Sequence, residues 1–137
     1  MNEAPTPEKF VGQPIERVED EALLKGLARY ADDYPVRPDT RYAAMLRSPH
    51  AHAEILSIDV SEALAQSGVI AVITGKDLQE YVDPFLNIVK APMKMWPLAI
   101  DRVRYVGEAV ALVVAGDRYL AEDAVDHIQV EYKVLEP

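Results

Sequence analysis

Hydrophobic and polar positions change period several times along this chain, and each change marks an element. Tyr42-Ala43-Ala44-Met45-Leu46-Arg47 reads as a strand stopping at Ser48-Pro49, and Glu54 to Val60 reads as a second, with Ile58 and Val60 two apart. Ser61 caps a helix of two turns through Ser67, Gly68 ends it, and Val69-Ile70-Ala71-Val72-Ile73-Thr74 is a β-branched, uncharged strand. The spacing therefore predicts strand, helix, strand. The last third repeats that order. Val103 to Val106 is a short strand, Gly107 a turn, and Ala109 to Ala115 an apolar run suited to a strand buried on both faces. Gly116-Asp117 supplies turn and cap for a helix over Arg118–His127. Leu120, Ala121, Ala124, Val125 and Ile128 make its apolar stripe, with Glu122, Asp123 and Asp126 facing water. Gln129 to Val134 alternates as a final strand. The two units share an order of elements, but too little sequence for an internal repeat.

Two regions lack this regularity. Residues 1–19 are rich in proline and charge, and are expected to run extended over a surface; residues 20–137 are expected to form the domain. Between them Glu19 to Gly26 reads as one or two helical turns, with acids at the amino end, Lys25 near the carboxyl end and Gly26 as the stop. The second irregular region follows a short turn or helix at Gly75–Tyr81. Val82 to Leu98 carries Pro84, Pro92 and Pro97 and no steady period. Loops this long inside compact domains are either functional or disordered. This one also holds Phe85, Leu86, Met93, Met95 and Trp96, which must pack on the domain or on a partner. A partner or a buried cleft is the expectation.

Composition narrows the function. The chain has 137 residues, 14 Lys and Arg against 23 Asp and Glu, and a net charge of −9. That balance repels phosphate backbones and anionic lipid. With no cysteine, the chain offers no disulfide, thiolate metal site, iron–sulfur ligand or Cys nucleophile. Its longest apolar run, Ala109 to Ala115, is far short of the ~20 residues that span a bilayer. Met1 to Glu8 has neither the basic nor the apolar region of a signal peptide, so a cytoplasmic leader is expected.

Few residues point to chemistry. Gly68 and Gly75-Lys76 are too far apart for a phosphate-binding loop, Asp77 stands where a Ser or Thr is needed, and no glycine pair has the G-x-G spacing. His50-Ala51-His52-Ala53-Glu54 would place two imidazoles and a carboxylate on one strand face, a weak metal pattern. The preferred reading is a bend whose rings hydrogen-bond to backbone. Ser48, Ser57, Ser61 and Ser67 have turn, strand or cap roles and no nucleophile motif surrounds them. Arg102, Arg104 and Glu108 bracket the Gly107 turn, either as an ion-pair network or as charges guarding a strand edge. No catalytic, cofactor or metal residue is assigned.

A series of segments resembles the large subunit of the molybdenum hydroxylases, the xanthine dehydrogenase, aldehyde oxidase and carbon monoxide dehydrogenase family. It runs through Val11-Gly12-Gln13-Pro14, Arg29-Tyr30-Ala31-Asp32-Asp33 and Arg47-Ser48-Pro49-His50-Ala51-His52-Ala53. The strongest part is Asp101 to Ala111, followed by Val113-Val114-Ala115, Ala121-Glu122-Asp123-Ala124 and Val130-Glu131-Tyr132. The resemblance implies the amino-terminal α/β-hammerhead domain: an α+β fold with a mixed, bent sheet and two or three short helices. It implies a molybdopterin cofactor on later domains of the same large subunit, and iron–sulfur clusters and FAD on partner chains or segments. The complete enzyme would hydroxylate an aldehyde or heterocycle, or oxidise carbon monoxide. The family's catalytic glutamate and cofactor loops lie outside this stretch, so no catalytic residue carries over.

In relatives the loop before Val103 to Gly107 lies toward the substrate entrance. Phe85, Leu86, Met93, Met95 and Trp96 are therefore the expected lining of a channel or of the seam with the later domains. The chain ends directly after its last strand, which reads as a domain boundary. Two other readings are a free-standing binding or assembly module with the same fold and, remotely, a small metal enzyme using His50 and His52.

Overall fold

The computed structural model describes residues 11–85 and 94–136. Its backbone contacts divide the chain into one unit up to Arg37 and another from Pro38.

In the first unit, α1 (Asp20–Leu24) forms where Asp20 and Glu21 favour a helix start. The Lys25 ammonium reaches back to Glu21 at 2.5 Å, and Gly26, at φ +66°, ends the helix in the left-handed conformation. A 3₁₀ turn over Ala31–Asp33 follows, held by the Tyr30 N–H donating to the Asp33 carboxylate at 2.8 Å. Neither element contains a buried residue.

The second unit is α+β, as the sequence implied. Its strands are β1 (Tyr42–Arg47), β2 (Ala53–Asp59), β3 (Val69–Thr74), β4 (Arg102–Val103), β5 (Ala109–Ala115) and β6 (Gln129–Val134). The expected mixed sheet is instead two antiparallel sheets of three strands, in the orders β1-β5-β3 and β4-β2-β6. The physical reason lies in the connections. Residues 60–68, which include α2 (Ser61–Leu64), are shorter than the roughly dozen residues a parallel crossover needs. They carry the chain from β2 in one sheet to β3 in the other. α4 (Arg118–Val125) likewise links β5 to β6 across the two sheets.

Several boundaries differ from the sequence reading. α2 is a single turn, and the side chain at its start is Asp59, which accepts from the Ser61 N–H at 2.9 Å. Gly68, at φ +88°, still turns the chain after it. The strand expected to reach Val106 stops at Val103, because the Arg104 N–H is taken by the Glu108 carboxylate rather than by a neighbouring strand. α4 ends at Val125, with Asp117 as its N-cap accepting from Tyr119 N–H at 2.9 Å.

β5 is the central strand of its sheet. Val110, Ala111, Val113 and Ala115 are fully buried, while Leu112 and Val114 are half-buried, so one face is less covered than the apolar run implied. One core cluster gathers Ala63, Ala111, Val113, Ala124 and Ile128, against which Leu46, Val72 and Val130 pack. The second gathers Ala53, Ala99, Val103 and Val110, with Ile55 and Tyr132 beside them. Alanines at these contacts let α4 sit close to the sheet. Among the described residues no helix is long and apolar enough to cross a membrane.

Candidate functional site

Two segments far apart in sequence meet at one joint. The Ser48 N–H donates to the Glu108 carbonyl at 2.9 Å, and the Gly107 N–H donates to the Ser48 carbonyl at 2.8 Å. Arg47 adds a guanidinium hydrogen bond to the Gly107 carbonyl at 2.9 Å. The Ser48 hydroxyl is almost wholly buried and is satisfied locally, donating to the His50 carbonyl and accepting from the His50 N–H, both at 3.0 Å. Burial raises the Tyr132 phenol above its ordinary pKa, partly offset by a hydrogen bond with Ser48.

The histidines of the same stretch have structural partners. The His50 ring stands edge-on to Tyr132, with centroids 4.9 Å apart. His52 Nδ1 lies 2.6 Å from the Glu136 carbonyl, which only accepts, so the ring nitrogen carries the proton. The expectation that the rings bond to backbone therefore describes His52, whereas His50 packs on an aromatic. No group of three potential metal-ligating side chains comes together among the described residues.

The charged trio separates into two sets. Arg104 faces Glu108 and Asp101, each at 3.9 Å, inside the turn. Arg102, on the edge strand β4, pairs with Glu54 at 3.5 Å, and Glu54 also takes Lys133 at 3.2 Å. Glu54 thus ties β4, β2 and β6 side by side, so Arg102 belongs to an inter-strand set of ion pairs and Arg104 and Glu108 to a separate one within the turn.

The long loop departs from α3 (Gly75–Leu78) and returns at Leu98-Ala99. Thr74 caps α3: its hydroxyl donates to Asp77 at 2.7 Å and its N–H at 2.8 Å, holding the Asp77 carboxyl below the usual range. At the returning end, the Ala99 N–H donates to the Ala109 carbonyl at 2.7 Å. The two ends touch. A Cβ on Gly75 would lie 2.3 Å from the Ala99 carbonyl oxygen, so only glycine fits there without displacing backbone.

Between these anchors, Phe85 and Met95 form an antiparallel bridge, the Phe85 N–H donating to the Met95 carbonyl at 2.8 Å. Phe85 is 58% exposed and Met95 44%, while Trp96 is half-buried. Of the residues expected to line a channel or seam, the structure brings Phe85 and Met95 together and sets Trp96 beside them. Leu86 and Met93 lie outside the described residues. Sequence reasoning missed Gly75 and Ser48 as fixed points of this site; the only available signals were a glycine directly after a β-branched strand and a Ser-Pro bend.

Residues 25–136 match the family model of the aldehyde oxidase and xanthine dehydrogenase a/b hammerhead domain. The chain belongs to this family. Relatives of this hammerhead domain include the carbon monoxide dehydrogenase large chain of Afipia carboxidovorans, 40% identical over 129 residues, with 91% of this chain and 15% of that one covered. Rat aldehyde oxidase 1 is 34% identical over 131 residues, covering 96% of this chain and 9% of its own. The crystal structure of quinoline 2-oxidoreductase from Pseudomonas putida 86 superposes with a TM-score of 0.78 at 42% identity, covering 94% of this chain and 17% of that one. The hammerhead domain therefore spans less than a fifth of the length of these relatives.

Proposed function

We propose that this hammerhead domain is part of a molybdopterin-dependent oxidoreductase that hydroxylates an aldehyde or heterocycle, or oxidises carbon monoxide. Its own task is to frame the large subunit and to form one wall of the substrate route. The observation that carries the second half is the Phe85–Met95 bridge: two exposed apolar side chains held at the waist of a loop whose ends are both fixed to the core. A wall needs that combination of apolar surface and fixed position.

The donor set of this domain does not fit the cofactor itself. It has no cysteine, His50 and His52 are engaged as described, and no buried side-chain polar atom among the described residues lacks a partner. The molybdopterin would be held by later domains of the same large subunit, with iron–sulfur clusters and FAD on partner chains or segments.

The test is substitution in the complete enzyme. Phe85→Ala and Trp96→Ala are expected to change KM for bulky substrates several-fold while molybdenum content stays at the unsubstituted level. An unchanged order of substrates in both variants would refute the wall.

A further inference from the structure

β6 closes one side of its sheet: in the order β4-β2-β6 it pairs with β2 along its inner edge. The Leu135 N–H donates to the His52 carbonyl, and peptide directions alternate along a strand. The backbone groups of Glu131 and Lys133 therefore face β2, and those of Val130, Tyr132 and Val134 face outward. β6 itself is regular, because the register shift between the two strands comes from an extra residue, Leu56, on β2. A row of alternating charge crosses the sheet and stops at this edge. Arg102 on β4 pairs with Glu54 on β2 at 3.5 Å, and Glu54 pairs with Lys133 on β6 at 3.2 Å. The Lys133 side chain is 63% exposed, and the next place in the row, beyond β6, suits a carboxylate. The other edges offer nothing comparable. β4 has two residues, β3 carries an extra residue, Ile70, that bends its edge, and β1 holds one charge, Arg47.

We infer that β6 is a pairing edge for a second copy of this chain, joined antiparallel about a twofold axis at Tyr132. In that register Val130 lies opposite Val134 of the second copy, and Glu131 lies opposite its Lys133; by symmetry Lys133 lies opposite its Glu131. The row then runs Arg102, Glu54, Lys133 and Glu131 of the second copy, with no like charges adjacent. Charge selects this register. A slip of two residues sets Glu131 against Glu131 or Lys133 against Lys133, and a slip of one opposes outward-facing peptide groups to inward-facing ones. The chain's net charge of −9 opposes contact between copies in general, so association is confined to a strip that balances itself, as this one does. Such pairing does not depend on the proposed function, because every group in it lies on β4, β2 or β6.

The experiment uses the complete polypeptide that carries this sequence. A copy bearing Glu131→Cys is mixed with one bearing Lys133→Cys under mild oxidation, and disulfide-linked peptides are identified by mass spectrometry. Residues opposed in this way stand about 4.5 Å apart at Cα, within disulfide reach, and the second Glu131–Lys133 pair stays intact. A 131–133 link between copies is expected in the mixture and in neither variant alone. Sedimentation reads the charges: Glu131→Lys and Lys133→Glu should each weaken pairing roughly tenfold, and mixing the two variants should restore it. A larger assembly held by another surface leaves the link readable, since the link is local to β6. No link in the mixture, links at 131–131 or 133–133 instead, an unsubstituted polypeptide that sediments without self-association, or pairing unaltered by either reversal would overturn the edge.

Discussion

Gly107 donates its backbone N–H to the carbonyl of Ser48 at 2.8 Å, joining the turn before β5 to the bend after β1. Gly107 can do so because it sits at φ +89°, in the left-handed region that costs other residues ~1–2 kcal/mol. Nothing lies within 4 Å of where its Cβ would stand. Gly107→Ala should therefore destabilise the domain by about 1–2 kcal/mol through backbone strain alone, and Gly107→Asn by less. Urea unfolding reads both, and an unchanged midpoint for the alanine variant would contradict the account.

Gly75 is required for the opposite reason. Its φ is not in the left-handed region, but its Cβ position is filled by the Ala99 carbonyl. Gly75→Ala is expected to cost on the order of 1–3 kcal/mol by overpacking. It should also loosen the returning end of the loop, so limited proteolysis between residues 79 and 98 should quicken. Equal cleavage rates in variant and parent would show that the two ends are not clamped together.

Ser48 holds the bend from inside. Ser48→Ala leaves the His50 N–H and carbonyl without that partner in a mostly buried position, a loss of roughly 1–3 kcal/mol. It also removes the hydrogen bond that offsets the effect of burial on Tyr132, so the phenol should titrate higher still. Because the folded value lies above the unfolded one, Tyr132's contribution to stability is complete below pH ~10 and is lost as pH rises through the folded value. Tyrosinate absorbance during an alkaline titration follows this, and a lower midpoint in Ser48→Ala would contradict it.

The capping of α3 has its own pH signature. Asp77 is held low first by the Thr74 hydroxyl and then by its N–H, so the carboxylate's contribution is present above pH ~3.9 and fades as pH falls through its folded value. Thr74→Ala should cost about 1 kcal/mol at neutral pH, as loss of an N-cap does, and the penalty should shrink in acid. A penalty independent of pH between 2 and 6 in urea titrations would mean that the pair does not act as a cap.

Much of the fold was legible because period reports which face of an element is buried. β6 and α4 lie where apolar positions recur at two or near 3.6 residues, and β3 and β5 where an unbroken apolar run stands between turn residues. Pairing was not legible. Period says nothing about which strand lies beside which, and the division into two antiparallel sheets emerges only when β2 finds β6 and β4 while β5 finds β1 and β3. Local hydrogen bonding also redrew ends that periodicity could not fix, as when Asp59 took the Ser61 N–H and Glu108 took that of Arg104. At the site, Phe85, Met95 and Trp96 stood out as apolar residues in an irregular loop. Their bridge, and the contact between Gly75 and Ala99 that fixes the loop, depend on tertiary geometry that no spacing encodes.

The most direct measurement of the central claim is purification of the natural polypeptide bearing this sequence at its native level, with intact mass and molybdenum determined on the same sample. A large chain, several times the length of this domain, carrying about one molybdenum per chain and accompanied by iron- and flavin-bearing chains or segments, is expected. A metal-free protein of 137 residues that copurifies with no larger chain would contradict it.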